Sequence, residues 1–358
     1  MSRGGAEQIV ETIATELERR GDEISVIALR PWGKRVSSSG TRRVYYLGSG
    51  YGHLSRLPWA VRLSWHAGLF YNPVKYLQLR RILDQERPDV VLTHNLTGFG
   101  FSILRLFARH RHIHTVHDIQ LLHPSGLLMY GQERMIDSRA ARMYQRLIAK
   151  AFPRSSRIIF PSMWLEQLHL SRDMFSANQR RVLQNPILLD RHRDRTSSGK
   201  GFRFLYVGQL EQHKGVMLLL RAFSQLGGDV RLTVVGEGSL LAECRAKYGE
   251  TIEFAGRLPH EKIRSAMAAA DCLVVPSLCY ENLPTVILEA QAVGLPVIAS
   301  NLGGIPELLP EECVFAPEEK ALGQALESAV RNSPTSVPAP FLVSPADYVT
   351  QILDSISE

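Results

Sequence analysis

Short apolar runs of strand character alternate with helical patterns along most of this chain. In the second half each apolar run leads into a loop of glycine and small polar residues, as in YVGQLEQHKGV at 206–216. Parallel strands need a crossover connection, usually a helix, so this alternation favours parallel sheets. The pattern predicts an α/β protein built from doubly wound, Rossmann-like sheets.

The alternation is interrupted at residues 185–201, where Pro186 and the charged stretch DRHRDR precede Ser, Ser, Gly, Lys and Gly. This composition is typical of a linker. The chain has 358 residues, a length that suits two domains better than one. We expect one domain at 1–188 and a second at 200–340, with a C-terminal helix at 345–358 that packs back on the first.

Local patterns predict individual helices. Apolar residues at helical spacing predict one helix over Ala6–Arg20 and another over Ile103–Ala108. Pro306 suits a first helical turn, and it predicts that a helix begins at Pro306–Leu309.

Charge is divided unevenly between the two halves. Residues 1–190 hold 27 Lys and Arg against 15 Asp and Glu, whereas residues 191–358 hold 15 against 20. The basic half is either a solvated face or a surface for something anionic: a phospholipid, a phosphate-bearing acceptor or nucleic acid. The Trp- and Arg-rich stretch at 56–71 fits either docking on an anionic membrane or a core helix with exposed arginines. No RNA-binding signature is present, so nucleic acid is not an expected partner.

Cysteines and histidines give no metal pattern. The four cysteines form no CxxC pair, and the histidines form no HExxH pattern, so we expect neither a zinc site nor disulfides. Reduced thiols fit a cytoplasmic protein. No apolar run reaches the roughly 18 residues of a spanning helix, so any membrane contact is expected to be peripheral.

The loops at the carboxyl ends of parallel strands are where open sheets bind ligands. Gly208 permits a tight turn near a ligand, and Lys214 stands just before a helix start, which is an anion-binding arrangement. Glu281 precedes the helix that begins near Pro284, and Glu289 lies within it. Carboxylates are good acceptors for vicinal sugar hydroxyls, so both are candidate ligand residues. A glutamate buried in so apolar a helix also needs a partner.

Further candidates follow other strands. Gly303 and Gly304 let backbone approach a ligand closely, or form a routine turn. His117 follows a strand and can donate a hydrogen bond to a phosphate, a hydroxyl or a leaving oxygen, and His94-Asn95 follows the preceding strand. A structural role is the alternative for both histidines. Gly4-Gly5 precedes a helix and is a candidate phosphate-facing turn.

Taken in order, these pieces resemble the retaining glycosyltransferases of the GT-B fold in family 4, also called group 1. The matching segments are GGAE at 4–7, PDVVLTHN at 88–95, TVHD at 115–118, GQLEQHKG at 208–215, VVGEG at 234–238, FAGRL at 254–258, the E-x7-E pair, and GLPVIASNLGGIPEL at 294–308. The resemblance implies two Rossmann-like domains facing each other across a cleft.

The resemblance also implies roles for the residues. Lys214 is expected to bind the donor pyrophosphate, Glu289 the ribose hydroxyls and Glu281 hydroxyls of the transferred sugar, while His117 reaches across the cleft. Catalysis is expected to involve His117 and Glu281. The expected donor-binding set is Gly208, Gln209, Lys214, Gly256, Arg257, Leu258, Asn282, Leu283, Thr285, Glu289, Gly303 and Gly304, and the phosphate or acceptor side is Gly4, Gly5, His94 and Asn95.

The implied activity is that of a hexosyltransferase-type enzyme (EC 2.4), which uses a UDP-, GDP- or ADP-sugar and retains anomeric configuration. The expected acceptor is a saccharide or a lipid-linked saccharide of polysaccharide biosynthesis, and the expected location is cytoplasmic or peripheral on the inner membrane face. No cofactor and no metal are expected, because lysine and helix ends supply positive charge. A nucleotide-sugar epimerase-like enzyme and a degenerate, non-catalytic sugar-nucleotide binder are the alternatives.

The chain departs from the family pattern at two places. Gln209 stands where the family has an arginine, and the loss of a charged contact to phosphate weakens binding by about 1.5–3 kcal/mol. The family also carries a strand before GGAE, which is missing ahead of Gly4 here. We therefore expect unpaired neighbouring strands and bare apolar surface in the first sheet.

Overall fold

A computed structural model describes residues 5–31, 42–49, 71–187, 201–332 and 342–357. Three of the predicted features lie outside these ranges: Gly4, the linker at 188–200, and the Trp- and Arg-rich stretch at 56–70.

The N-terminal half has parallel strands in two sheets. One sheet pairs β1 (Ser25–Pro31) with β2 (Arg43–Ser49). The other has the order β3-β4-β5-β6. Its strands are β3 (Val90–Thr93), β4 (Arg111–Thr115), β5 (Arg157–Phe160) and β6 (Arg180–Val182).

Within the described ranges no backbone pairing joins the two N-terminal sheets. The apolar side chains of β1 and β3 are only half-buried, including Val26, Ile27, Val91 and Leu92, whereas those of β4 and β5 are buried. Ile27 and Val91 nevertheless pack against the main apolar cluster of this half, and Leu92 packs against a second one, so these side chains are not bare. The expectation of unpaired strands and bare apolar surface stays a prediction.

The C-terminal half has one parallel sheet with the order β12-β11-β10-β7-β8-β9. The strand order reverses between β7 and β10, which makes the crevice between their loops the natural ligand site of a doubly wound sheet. The strands are β7 (Phe202–Val207), β8 (Val230–Val235), β9 (Glu253–Gly256), β10 (Cys272–Val275), β11 (Val297–Ser300) and β12 (Val314–Phe315).

Helices cover the sheets. Those of the N-terminal half are α1 (Gly5–Arg19), α2 (Pro73–Glu86), α3 (Leu104–Phe107), α4 (Arg139–Ala151) and α5 (Met163–Leu170). The others are α6 (Val216–Ser224), α7 (Leu241–Tyr248), α8 (His260–Ala269), α9 (Thr285–Ala292), α10 (Glu319–Asn332) and α11 (Pro345–Ser357). No helix of the described ranges is both long and apolar enough to span a bilayer.

The last helix returns to the N-terminal half. Tyr348, Val349 and Ile352 of α11 are buried in one cluster with Ile9 and Ile13 of α1. Burying apolar side chains of this size contributes about 1.5–3 kcal/mol each, so this contact holds the chain end firmly.

Two of the local helix predictions are wrong in extent. Residues 101–107 form a 3-10 turn followed by the single helical turn of α3. The chain after Gly304 makes only the 3-10 turn Ile305–Glu307, because Pro310 soon prevents a longer helix.

Candidate active site

Two loops meet where the strand order of the C-terminal sheet reverses. After β7 the chain makes a 3-10 turn at Gln212–Lys214, and Gly215 then starts α6 with a φ of 70°. A Cβ at Gly215 would overlap the carbonyl oxygen of Pro276, in the loop after β10. The absence of a side chain therefore lets the two loops touch and brings Lys214 beside the second loop.

Lys214 and Glu281 form an ion pair there, with 2.6 Å between Nζ and Oε1. The hydroxyl of Ser277 donates to the same carboxylate oxygen at 2.9 Å. Burial disfavours both charges. The attraction between them and these hydrogen bonds outweigh it, which lowers the pKa of Glu281 and raises the pKa of Lys214. Both groups are therefore charged at neutral pH.

Gly303 and Gly304 pack against the backbone of the Glu281 loop. Gly303 has a φ of 68°, and a Cβ there would overlap the carbonyl oxygen of Glu281. The N–H of Gly304 donates to that same oxygen at 2.8 Å. In this structure the paired glycines hold the Glu281 loop in place, and the Gly304 amide is engaged by it.

The loop continues across the cleft to the N-terminal half. The side-chain amide of Asn282 donates to the carbonyl oxygen of His117 at 3.1 Å, and the hydroxyl of Ser162 donates to Asn282 Oδ1 at 2.7 Å. Tyr280 stacks on Trp164 with 5.8 Å between ring centroids, and its hydroxyl donates to Glu133 at 2.8 Å. The two halves are therefore linked directly at the site.

Glu307 strengthens this link. Its carboxylate accepts from the backbone N–H groups of Met163 at 2.9 Å and Trp164 at 2.6 Å, at the N-terminus of α5. Free N–H groups at a helix start attract an anion, and here the anion is a carboxylate of the opposite half.

On the N-terminal side His94 and His117 lie against each other. His94 Nδ1 is 3.0 Å from His117 Nε2, and the rings stack with centroids 5.2 Å apart. Burial lowers the pKa of His94 to about 4, and burial together with His94 lowers the pKa of His117 to about 3. Both imidazoles are neutral at pH 7, so one ring donates its N–H and the other accepts it.

Asp118 and Asn95, which follow these two histidines in the sequence, both accept hydrogen bonds from nearby backbone N–H groups. Burial raises the pKa of Asp118 to about 6, while its Oδ1 accepts from the N–H of Gln120 at 2.7 Å. Asn95 is exposed, and its side-chain oxygen accepts from Thr97 N at 2.8 Å, which shapes a turn.

A pocket of about 220 Å³ lies between α1, α8 and α9. Gly5 stands beside Thr285, so the N-termini of α1 and α9 lie close together here. Glu289 lines the pocket with its side chain 20% exposed, and its Oε1 is 3.7 Å from His260 Nε2. The neighbouring Glu289 carboxylate, which accepts from the imidazole, raises the pKa of His260. Glu289 therefore faces open space and has a partner, instead of being enclosed in an apolar core.

The other candidate residues lie around this crevice. Gly208 follows β7, and the carbonyl oxygen of the exposed Gln209 accepts from Tyr206 at 2.7 Å. Gly256 ends β9, Arg257 is exposed, and Leu258 packs into the apolar cluster that also holds Leu283. The side chain of Leu283 is buried, so only its backbone can meet a ligand.

Several residues of this region were not anticipated from the sequence: Ser162, Trp164, His260, Ser277 and Glu307. Ser162 had a usable signal, because it precedes Trp164, Leu165 and Leu168 at helical spacing and caps α5 by accepting from Leu165 N. Glu307 belongs to GGIPEL, but its partner lies 143 residues away and no local pattern points to it.

Comparison with known proteins decides the family. The model for "Glycosyltransferase Family 4" matches residues 3–191, more than half of the chain, and the model for "Glycosyl transferases group 1" matches residues 201–332. The chain belongs to glycosyltransferase family 4. It is therefore a transferase enzyme of class EC 2.4, as the sequence motifs predicted.

Relatives of this family 4 enzyme include an uncharacterised 42.6 kDa protein in the cps region of Klebsiella pneumoniae. It is 24% identical over 322 residues, or 85% of this chain and 83% of that protein. The amylovoran biosynthesis glycosyltransferase AmsK of Erwinia amylovora is 33% identical over 134 residues, which is 33% of each chain.

Solved structures resemble it over almost its whole length. Sucrose-phosphate synthase of Thermosynechococcus elongatus has a TM-score of 0.72 at 21% identity, covering 99% of this chain and 92% of that one. HepE of Anabaena in complex with UDP has a TM-score of 0.67 at 18% identity, covering 99% and 96%. These likenesses show the GT-B fold.

Proposed function

We propose that this family 4 enzyme transfers a sugar from a UDP-, GDP- or ADP-sugar to a saccharide or lipid-linked saccharide, with retention of anomeric configuration. The observation that carries the proposal is the Lys214–Glu281 pair in the crevice of the C-terminal sheet, across the cleft from His117. A cation, a carboxylate and a neutral imidazole around one cleft suit a ligand that combines phosphates with hydroxyls.

The donor is proposed to lie with its pyrophosphate at Lys214 and the start of α9, its ribose at Glu289 and its sugar hydroxyls at Glu281. Glu289 supports this assignment because it faces the pocket. In the bound state Lys214 shares its charge between Glu281 and the phosphate, so the ion pair positions the lysine before the donor arrives.

Retention is proposed to follow front-face attack. The acceptor hydroxyl oxygen bonds to the anomeric carbon on the side from which the phosphate oxygen leaves, and the hydroxyl proton passes to that departing oxygen. Lys214 and the α9 N-terminus stabilise the developing charge on the nucleoside diphosphate. A neutral His117 can donate its N–H to the sugar or its phosphate without adding charge.

The names of the relatives support a saccharide acceptor. AmsK is named for amylovoran biosynthesis, and another relative, TuaC of Bacillus subtilis, for teichuronic acid biosynthesis. The HepE structures contain UDP, glucose or UDP-glucose, which makes UDP-sugars the first donors to test. With a lipid-linked acceptor the enzyme would work in the cytoplasm at the inner face of a membrane.

The test is turnover of a panel of UDP-, GDP- and ADP-sugars by the purified chain, following release of the nucleoside diphosphate with and without saccharide acceptors. Glu289→Ala should lower kcat/KM about 10–100-fold, the equivalent of one hydrogen bond to a charged group. Glu261→Ala, an exposed glutamate of α8, is the matched control and should leave turnover unchanged.

Product analysis separates the alternatives. An epimerase-like enzyme would change the donor sugar without an acceptor and without releasing nucleoside diphosphate. A degenerate binder would bind a donor, lose that binding in Glu289→Ala and release nothing. Either pattern would overturn the transferase proposal, and analysis of the product anomer tests retention separately.

A further inference from the structure

The outer face of α4 combines cations with exposed apolar side chains. The helix reads RAARMYQRLIAKA and contains no acidic residue. Its inner face is buried through Ala141, Tyr144, Gln145 and Ile148. On the outer face Met143 is 63% exposed and Leu147 is 45% exposed.

These two apolar residues lie among cations. The exposed residues of this face recur every three or four positions along the helix, apart from the adjacent pair 146–147. They are Arg139, Met143, Arg146, Leu147 and Lys150. They therefore form a single stripe along the helix. Arg142 borders the stripe and pairs with Asp137 at 2.8 Å. Among the residues that the structure describes, no ion pair is seen for the three cations of the stripe itself.

Helix α2 extends this surface. Both helices pack on the turn at Phe101–Ile103: the ring of Phe101 contacts Tyr144 of α4, and Ser102 Oγ accepts from the N–H of Asn72, which caps α2. The start of α2 and the residue before its cap expose further apolar side chains. They are Tyr71 at 68%, Val74 at 63% and Leu77 at 51% exposed.

From these residues we infer that the outer face of α4, continued by the start of α2, docks the enzyme on an anionic lipid bilayer. Cations attract the lipid headgroups, while Met143 and Leu147 enter the boundary between headgroups and acyl chains. Arginine and lysine fit this position because their apolar stems cover apolar surface while their charges stay at the headgroups.

The charge pattern favours a bilayer over a second copy of this chain. A two-fold dimer through this face would place the arginines of one copy against those of the other, with no acidic residue on α4 to offset them.

The position of α4 connects the surface to the cleft. Arg139 begins the helix six residues after Glu133, which accepts from the hydroxyl of Tyr280 in the opposite half. A membrane-bound acceptor would therefore reach the cleft rim near the start of α4. The docking inference itself does not depend on transfer activity.

The experiment measures co-sedimentation of the full chain with vesicles of phosphatidylcholine alone and with vesicles rich in phosphatidylglycerol. Wild type should bind the anionic vesicles more strongly, and binding should fall as salt is raised. Arg146→Gln/Lys150→Gln should lower the partition coefficient about 25-fold, at about fivefold per cation near an anionic surface. Lys320→Gln/Arg331→Gln, which removes two exposed cations from α10, is the control and should bind like wild type.

Met143→Ser/Leu147→Ser tests the apolar part. This variant keeps every cation. Unchanged binding would show that adsorption is purely electrostatic and would overturn insertion of the helix face. All the changed side chains are exposed, and circular dichroism should show unchanged folding. Absence of anionic-vesicle binding by folded wild type would overturn the inference. So would equal binding by all variants, or a concentration-dependent dimer that the α4 changes dissolve.

Discussion

On the C-terminal side of the cleft Lys214 and Glu281 form a buried charged pair, whereas on the N-terminal side the buried pair His94 and His117 is uncharged. Lys214 and Glu281 stay ionised because each offsets the burial of the other at 2.6 Å. His94 and His117 have no such counter-ion in the described structure, and burial lowers the pKa of each. The difference teaches that charge in this cleft depends on pairing, so changing one partner should alter one side without altering the other.

The largest expected effect comes from Lys214→Met. It removes the cation proposed for the pyrophosphate and leaves the Glu281 carboxylate with Ser277 as its remaining strong partner. Nucleoside diphosphate affinity should fall about 10–100-fold and the free energy of unfolding by about 1.5–3 kcal/mol. Calorimetric titration and denaturant unfolding measure the two effects.

A second variant separates pairing from binding. Adding Glu281→Gln to Lys214→Met removes the unpaired charge, so stability should partly recover while affinity stays low. Lys320→Met, on an exposed turn of α10, is the control. Unchanged nucleotide affinity in Lys214→Met would contradict the proposed donor site.

The second-largest expected effect is on how the free energy of unfolding changes with pH. The buried histidines of the N-terminal side and His260 of the C-terminal side change it in opposite directions. The native pKa values of His94 and His117 are about 4 and about 3, below the ordinary 6.5, so between pH 6.5 and 4 the unfolded chain binds protons that the native chain does not. The free energy of unfolding should fall by about 1.4 kcal/mol per pH unit for each histidine as pH decreases. The buried His112, His114 and His169 add to this slope, and Asp118, with a pKa raised to about 6, opposes it.

His260 supplies the contrast. Its pKa is raised by Glu289, so its contribution to stability is present below pH 6.5 and disappears as pH rises through the native pKa. In urea unfolding from pH 4 to pH 8, His94→Asn/His117→Asn should flatten the acid loss, whereas His260→Asn should steepen it. Identical slopes in the two variants would show that the two sides do not differ in this way.

Much of this site could be predicted from local patterns, because Lys214 and Glu281 each follow a strand whose loop must face the crevice. Their ion pair could not, since they are 67 residues apart and meet only through the order of β7 and β10. Helix α10 had a signal in Leu322, Leu326 and Ala329, all of them buried, and was nonetheless not anticipated.

Strand β6 had no such signal, because the sequence Arg180-Arg181-Val182 is polar and only three residues long. Its pairing with β5 is set by the tertiary structure. Local sequence patterns therefore identified residues that directly follow a strand, because the end of that strand alone places them at the crevice. They missed elements and contacts that depend on a partner elsewhere in the fold.

A smaller effect is expected at the contact that joins the two sides. Glu307→Gln replaces the carboxylate that accepts from Met163 N and Trp164 N with a neutral amide oxygen. The loss should be about 0.5–2 kcal/mol, the range of a helix cap with its dipole interaction. Small-angle scattering should show a larger radius of gyration if this bond keeps the cleft closed. Glu311→Gln, an exposed glutamate nearby, is the control, and equal radii in the two variants would remove Glu307 from that role.

The smallest effect, and the one that adds charge to the C-terminal side, is expected from Gln209→Arg. The Lys214–Glu281 pair carries no net charge, and the two histidines are neutral. Lys214 is therefore the cation that we expect a bound pyrophosphate to contact. Gln209 is exposed just after β7, and its backbone carbonyl is held by Tyr206, so a longer side chain needs no repacking. A second cation should tighten nucleoside diphosphate binding up to about tenfold, less than a buried contact would give, because solvent screens an exposed charge. Gln212→Arg adds the same charge at an exposed position three residues on and should have little effect. Equal tightening by both variants would mean that general charge, rather than a contact at position 209, controls donor affinity.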